Sequence, residues 1–300
     1  MLPEVVVALR LKSDGIYVDG TLGGAGHAEA ILAGSSPGGW LFGCDRDGAA
    51  VEAARARLGG FAGRFELRQA NFADLAEWVA GESCDGVLLD LGVSSPQLDT
   101  AARGFSFQQT GPLDMRMDQR QSLTAADLLN TADADELAKI FWEWGGERDS
   151  RRFARAIVAE REARRFSTTS QLSELIERLA PRRGRKTHPA TRVFQALRVA
   201  VNGEIGSLQK GLSAALRVLK HGGRLAVITF HSLEDRVVKD FGRAAARDYT
   251  FDGDVDVPEL RRARTPELKW VTRKALTPGA TELADNPRSR SAQLRVMEKI

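Results

Sequence analysis

Short apolar runs alternate with amphipathic stretches from the start of the chain to Leu91. Ile16-Tyr-Val-Asp19, Trp40-Leu-Phe-Gly-Cys44 and Phe65-Glu-Leu-Arg68 read as strands. Helical patterns follow each: one through Ile31-Leu32, one from Gly48 to Leu58 and one from Phe72 to Val79. Gly86-Val-Leu-Leu-Asp-Leu91 is apolar almost without interruption, the pattern of a strand buried on both faces. A strand-helix rhythm of this kind predicts a parallel, doubly wound α/β sheet with right-handed crossovers.

The rhythm stops after Leu91 and resumes at Arg224-Leu-Ala-Val-Ile-Thr229. Between them a turn-rich stretch (Gly104 to Pro112) precedes amphipathic patterns over 135–144, 150–164 and 169–179. The sheet's connectivity therefore carries a helical insertion the size of a small domain. Trp142, Trp144 and Phe153 read as part of its core. A helix from about Gly203 to Lys220 leads back to the sheet, and segments near 270–275 and 291–297 supply its last strands.

Charge sharpens this division. The 300 residues carry a net charge of +3, yet between Arg148 and Arg198 fourteen Arg or Lys stand against five Asp or Glu. The rest of the chain must therefore be acidic. A basic segment on an acidic body points to a polyanion such as nucleic acid, and Arg182 and Arg183 in Arg182-Arg-Gly-Arg-Lys186 suit phosphate contact. Two cysteines make no disulfide framework and four scattered histidines show no zinc spacing, so no metal is expected. No apolar run is long enough to span a bilayer. Met1-Leu-Pro-Glu-Val is no secretory signal. A cytoplasmic protein that makes no membrane contact is expected.

The chemistry gathers at the carboxyl ends of the strands, where open α/β sheets bind ligands. Asp19-Gly-Thr-Leu-Gly-Gly-Ala-Gly-His27 joins the first strand to a helix, bringing backbone N–H groups to a ligand. Asp45 ends the second strand, where a carboxylate can accept from two ribose hydroxyls. Phe72 follows the third, where an aromatic can flank adenine. Asp90 ends the fourth. Each has a structural alternative: Asp45 as a helix cap, Phe72 as core, Asp90 as a turn residue. Together they favour a nucleoside cofactor. A dinucleotide is the first rival, but the G-x-G-x-x-G spacing is missing. After the fourth strand, Ser94, Ser95, Pro96 and Gln97 resemble the polar-Pro turn of amino-group methyltransferases. There, side-chain and carbonyl acceptors hold the target NH2. Cys44 and Cys84 are poorly placed for the nucleophile that ring-carbon methylation needs.

Longer strings extend the resemblance. Asp90-Leu-Gly-Val-Ser-Ser-Pro-Gln-Leu-Asp99, Arg103-Gly-Phe-Ser-Phe107 and Gly111-Pro-Leu-Asp-Met-Arg-Met-Asp118 are similar to the small-subunit rRNA cytosine-N4 methyltransferase family, RsmH/MraW. So are His188-Pro-Ala-Thr-Arg-Val-Phe-Gln-Ala-Leu-Arg198, Val201-Asn-Gly-Glu204, Phe230-His-Ser-Leu-Glu-Asp-Arg-Val-Val-Lys239 and Asn286-Pro-Arg-Ser-Arg-Ser-Ala292. The resemblance implies a Rossmann-like class I S-adenosylmethionine-dependent methyltransferase sheet with an inserted helical domain. It divides the chain into a cofactor-binding domain (1–103 and 204–300) and an inserted substrate-recognition domain (104–203). It implies N4-methylation of a cytidine in the decoding region of 16S rRNA, with S-adenosylmethionine as donor and the small ribosomal subunit as partner. A homodimer is left open.

Carried over by position, the family's cofactor contacts fall on Ala25, Gly26, His27, Asp45, Phe72, Asp90 and Gln97. Asp114, Arg116 and His231 are candidates for substrate contact. Against these stand a local ion-pair turn for Asp114 and Arg116, and a helix cap for His231. The sequence departs from the family's Gly-Arg-Gly-Gly-His loop with Gly23-Gly-Ala-Gly-His27, which would strain Ala25 if that position needs a positive φ. Trp144-Gly-Gly-Glu-Arg148 likewise replaces a more acidic Gly-Glu-Glu-Arg. Two alternatives stay open: a DNA amino-methyltransferase and a noncatalytic RNA-binding module with a relict pocket.

Overall fold

A computed structural model describes residues 1–181, 187–251 and 256–300. Its strands are β1 (Ile16–Asp19), β2 (Trp40–Asp45), β3 (Phe65–Gln69), β4 (Cys84–Asp90), β5 (Leu219–Thr229), β6 (Tyr249–Phe251), β7 (Arg261–Ala263), β8 (Leu268–Trp270) and β9 (Gln293–Lys299). Seven of them form one sheet in the order β3-β2-β1-β4-β5-β9-β8. The first five are mutually parallel, and β9 runs antiparallel to both β5 and β8. The strand order reverses between β1 and β4, a topological switch point.

Alternation along these strands fills both faces of the sheet. Tyr17, Leu41, Leu67, Leu88 and Ala226 point to one side, with Val5, Ile31, Leu32, Val51 and Ala54 from the helices Leu2–Leu9, Gly26–Gly34 and Gly48–Arg57. Val18, Cys44, Val87, Leu89 and Leu225 point to the other. There they meet Leu208, Leu212 and Val218 of helix Glu204–Val218 and Val238 of helix Ser232–Ala245. Apolar strands covered on both faces are what a parallel sheet requires.

The chain divides into two compact units, Met1–Gly92 with Ile205–Ile300, and Val93–Glu204. The second unit is built on helices Ala125–Thr131, Ala134–Glu143, Ser150–Ala163, Thr169–Leu179 and Thr191–Asn202. Leu129, Leu137, Phe141, Phe153, Ile157, Leu172, Ile176 and Leu197 make its core. Phe153 is in that core and Trp144 packs against it, but Trp142 is 60% exposed, a correction to its expected burial. Helix Ala134–Glu143 turns Leu137, Ala138, Ile140 and Phe141 inward, which leaves Trp142 outside.

Some elements differ from their sequence patterns. Within Phe72 to Val79 the helix is a 3-10 helix of six residues, Phe72–Glu77. β5 begins five residues before its apolar run, at Leu219, and β8 ends at Trp270. The helix Thr191–Asn202 had no predicted counterpart.

Candidate functional site

The glycine loop leaves β1 as a chain of specific backbone states. Thr21 N–H donates to Asp19 Oδ1 at 3.1 Å, Gly20 N–H to Leu88 O at 2.9 Å, and Leu22 N–H to Cys44 O at 3.1 Å. The loop is thereby tied to β4 and β2. Gly23 (φ 46°) and Ala25 (φ 59°) both lie in the left-handed region. Ala25, the residue before helix Gly26–Gly34, is completely buried, so its Cβ bears the steric cost of that conformation. An Ala here is therefore strained. A Cβ at Gly24 would meet nothing within 4 Å.

Asp45 braces the same loop. Its Oδ2 accepts from Gly23 N–H at 2.9 Å and its Oδ1 from Asp47 N–H at 2.9 Å. Asp47, rather than Asp45, caps helix Gly48–Arg57, accepting from Ala49 N–H. A carboxylate oxygen accepts more than one hydrogen bond, so Asp45 keeps capacity for ligand hydroxyls.

At the switch point Asp19 and Asp90 end neighbouring strands. Asp90 N–H donates to Thr21 Oγ1 at 2.7 Å, and His27 Nε2 lies 3.5 Å from Asp90 Oδ2. Asp19 Oδ2, Asp90 Oδ1 and His27 Nδ1 are buried and make no hydrogen bond within the protein. Three such atoms at one place are rare in a folded protein unless a ligand or ordered water meets them. Burial raises the Asp19 carboxyl to about 6, with Asp90 and Asp45 adding to the effect and His27 opposing it. Burial likewise raises Asp45, against the N–H donors of Asp47 and Gly23. Burial disfavours the charged form of His27, but the hydrogen bond and charge of Asp90, with Asp19, outweigh it and raise the imidazole. The result is a recessed acidic cluster with one imidazole, suited to a ligand bearing positive charge and hydroxyls.

After β3, Asn71 caps the 3-10 turn by accepting from Ala73 N–H and donates from Nδ2 to Ser207 Oγ at 2.9 Å. Phe72 is half-buried. A Cβ at Gly211 would come within 2.2 Å of its ring, so this glycine is what lets the aromatic seat against helix Glu204–Val218. Past β5, His231 caps helix Ser232–Ala245. Its Nδ1 accepts from Glu234 N–H at 3.4 Å, while Glu234 Oε2 accepts from Phe230 N–H at 2.8 Å and His231 N–H at 3.2 Å.

In the second unit, Ser94 and Gln97 form a reciprocal capping box on the short helix Ser95–Asp99, with Pro96 in its first turn. Ser94 N–H donates to Gln97 Oε1 at 3.0 Å, and Gln97 N–H to Ser94 Oγ at 3.4 Å. Asp114 and Arg116 pair in a fork, Nε to Oδ1 at 2.9 Å and Nη2 to Oδ2 at 2.7 Å, while Arg116 Nη1 donates to Gln121 O at 2.7 Å. The Arg116 pairing holds Asp114 below the usual carboxylate range even against burial. Arg182 and Arg183 lie outside the described residues.

Residues that the sequence patterns did not single out also shape the site. Thr21 ties the loop to Asp90; its place two residues after Asp19 was the available signal. Arg57 donates from Nη1 to Gly24 O at 2.9 Å while its Nε and Nη2 hold Glu29 at 2.9 and 2.7 Å. Nothing local in sequence marks an arginine that far downstream. Both cysteines are buried, and burial raises Cys44 well above its ordinary range and Cys84 to about 11, so neither is an activated nucleophile.

Residues 1–300 match the MraW methylase family. The chain is 52% identical over 302 residues to a protein of Geobacter sp. (strain M21) named ribosomal RNA small subunit methyltransferase H, covering 99% of this chain and 96% of that one. A protein of the same name from Syntrophotalea carbinolica is 48% identical over 305 residues, covering 100% and 96%. Another from Xanthomonas campestris pv. campestris (strain B100) is 48% identical over 303 residues, covering 99% and 85%.

Proposed function

Because the chain belongs to the MraW methylase family, we propose that it methylates N4 of a cytidine in the decoding region of 16S rRNA with S-adenosylmethionine as donor. The observation that carries the cofactor assignment is the set of buried, unpartnered atoms Asp19 Oδ2, Asp90 Oδ1 and His27 Nδ1 beside Asp45. These groups fit the donor: a cationic ligand balances the carboxylates, and ribose hydroxyls satisfy Asp45. When bound, S-adenosylmethionine would supply an electrophilic methyl group on a positively charged sulfur. Ala25, Gly26 and His27 line the loop against it, with Phe72 flanking the adenine.

The chain's task toward the substrate is to aim a weak nucleophile. The lone pair of cytosine N4 is delocalised into the ring, so acceptors on its N–H bonds must favour a pyramidal nitrogen. Ser94, Ser95 and Pro96, through side-chain and carbonyl oxygens, are the proposed acceptors. No strong base is needed before attack, since the proton becomes acidic only as the N–C bond forms. Asp114, Arg116 and His231 hold the substrate side indirectly, because each is already engaged in a turn or a cap. Met1–Gly92 with Ile205–Ile300 then serves the cofactor, and Val93–Glu204, with its arginine excess, the RNA.

Tritium transfer from labelled cofactor tests this reading. Label should enter 16S rRNA of small ribosomal subunits and not duplex DNA; label in duplex DNA alone would replace it with the DNA enzyme. Asp45→Ala should weaken cofactor binding by ten-fold or more, since hydrogen bonds to a charged group are worth about 1.5–3 kcal/mol each. Calorimetric titration checks it, and unchanged affinity would remove Asp45 from the site.

A further inference from the structure

The cofactor-binding unit carries a second feature that the transfer site does not use. A groove of about 590 Å³ is lined by Lys239, Arg243, Trp270, Arg273, Lys274 and Arg295, among others. Five of these six side chains are cationic, on a chain that is acidic outside 148–198. Lys239 and Arg243 lie one turn apart on helix Ser232–Ala245, Arg295 lies on β9, and Arg273 with Lys274 follows β8.

The nearby carboxylates leave much of this charge unbalanced. Arg295 Nε and Lys239 Nζ share one group, Asp235, at 2.6 and 3.1 Å, and Arg243 approaches Asp240 at 3.7 Å. Among the described residues Arg273 and Lys274 have no ion-pair partner, and both are exposed. Trp270 is half-buried, its indole seated where a Cβ at Gly242 would come within 2.3 Å. A fixed aromatic beside two unpaired cations and three that share two carboxylates is an arrangement that can take single-stranded nucleic acid: phosphates meet the cations and a base stacks on the ring.

Its place on the sheet says which part of the RNA. Ile228 of β5 pairs with Asp90 of β4 on one side and with Leu294 of β9 on the other. Gln293 and Arg295, which flank Leu294, both line the groove. Gln293 thus stands at the same strand end as Asp90, two strand spacings away at backbone level, about 10 Å, and the groove lies on the face of the sheet that helix Ser232–Ala245 covers. We propose that this groove binds the sugar-phosphate backbone of single-stranded RNA flanking the methylated nucleotide. The inference rests on the rRNA reading above and extends it by giving the cofactor-binding unit its own RNA contact.

The test is binding of a labelled single-stranded RNA oligonucleotide of decoding-region sequence, measured across a salt series. Arg273→Ala with Lys274→Ala removes two exposed cations that have no ion-pair partner among the described residues. The slope of log affinity against log salt should fall by about 1.4, since each lost single-strand phosphate contact removes about 0.7. Binding at low salt should weaken several-fold, with cofactor affinity unchanged. Arg55→Ala with Lys210→Ala removes the same charge from exposed helix positions elsewhere in this unit and should leave the slope as it was. An unchanged slope for the first pair, or an equal change for the second, overturns the inference. The two readings fail separately. An unaltered chain that methylates no 16S rRNA sinks the function, whereas the groove stands or falls on the slope difference alone.

Discussion

Ala25 shows how one residue can record a functional demand. It sits at φ 59°, fully buried, where the related loop sequence has glycine, and Gly24 beside it is free of steric need. The cost of a left-handed alanine, about 1 kcal/mol, is held in place by Asp45 on Gly23 N–H and Arg57 on Gly24 O. Ala25→Gly should therefore raise thermal stability without loss of cofactor affinity; a lower melting temperature would show the strain to be absent. Asp19 carries a second, electrostatic demand. Its carboxyl is raised to about 6 from 3.8. The folded state therefore holds the proton more tightly than the unfolded one, and the buried charge costs stability above that pH. Without cofactor, Asp19→Asn should be more stable than the parent at pH 7, with the advantage shrinking as pH falls through 6 toward 4. The same variant should bind cofactor more weakly. Melting curves across pH check the first point, and a constant advantage would contradict it. The strand-end acids were legible in sequence because each closes an apolar run. The partnering of Thr21 and Arg57 was not, because it depends on how strands register.

At the scale of elements, the inner parallel strands were readable from apolar runs, since burial on both faces leaves little polar alternation, whereas the edge strand β3 alternates Phe65 and Leu67 with Glu66 and Arg68. The helix Thr191–Asn202 carries an equally amphipathic pattern, with Val193, Phe194, Leu197 and Val201 buried, but its hold on a distant loop was not legible. Asn202, 2% exposed, accepts from Met117 N–H and donates to Met115 O, each at 2.8 Å. Met115 is itself left-handed (φ 62°) and buried. One amide thus pins the loop in which Asp114 and Arg116 sit. Asn202→Ala should leave two buried backbone groups unsatisfied and lower unfolding stability by about 1–3 kcal/mol. Urea unfolding checks this, and a loss below about 0.5 kcal/mol would mean that the loop holds itself. Trp142 carries a related lesson: hydrophobic content alone placed it in the core, but helix phase put it outside.

Across the whole molecule, sequence patterns located an insertion between β4 and the helix before β5, and compactness divides the chain at Gly92 and Glu204. The charge division was legible in composition, because arginine clusters along the chain between Arg148 and Arg198. The cationic groove was not, since Lys239, Trp270 and Arg295 meet only once β8 and β9 complete the sheet. The proposed cofactor site rests on strand ends and glycine geometry, whereas the proposed target nucleotide rests on family membership and on the Ser94-Ser-Pro-Gln97 turn. The most direct measurement is therefore mass spectrometry of 16S rRNA after reaction with the purified chain and S-adenosylmethionine. One added methyl group is expected on the base of a cytidine in the decoding region, at the exocyclic nitrogen. A methyl group on the ribose, on a ring carbon, or on a different nucleotide would contradict it.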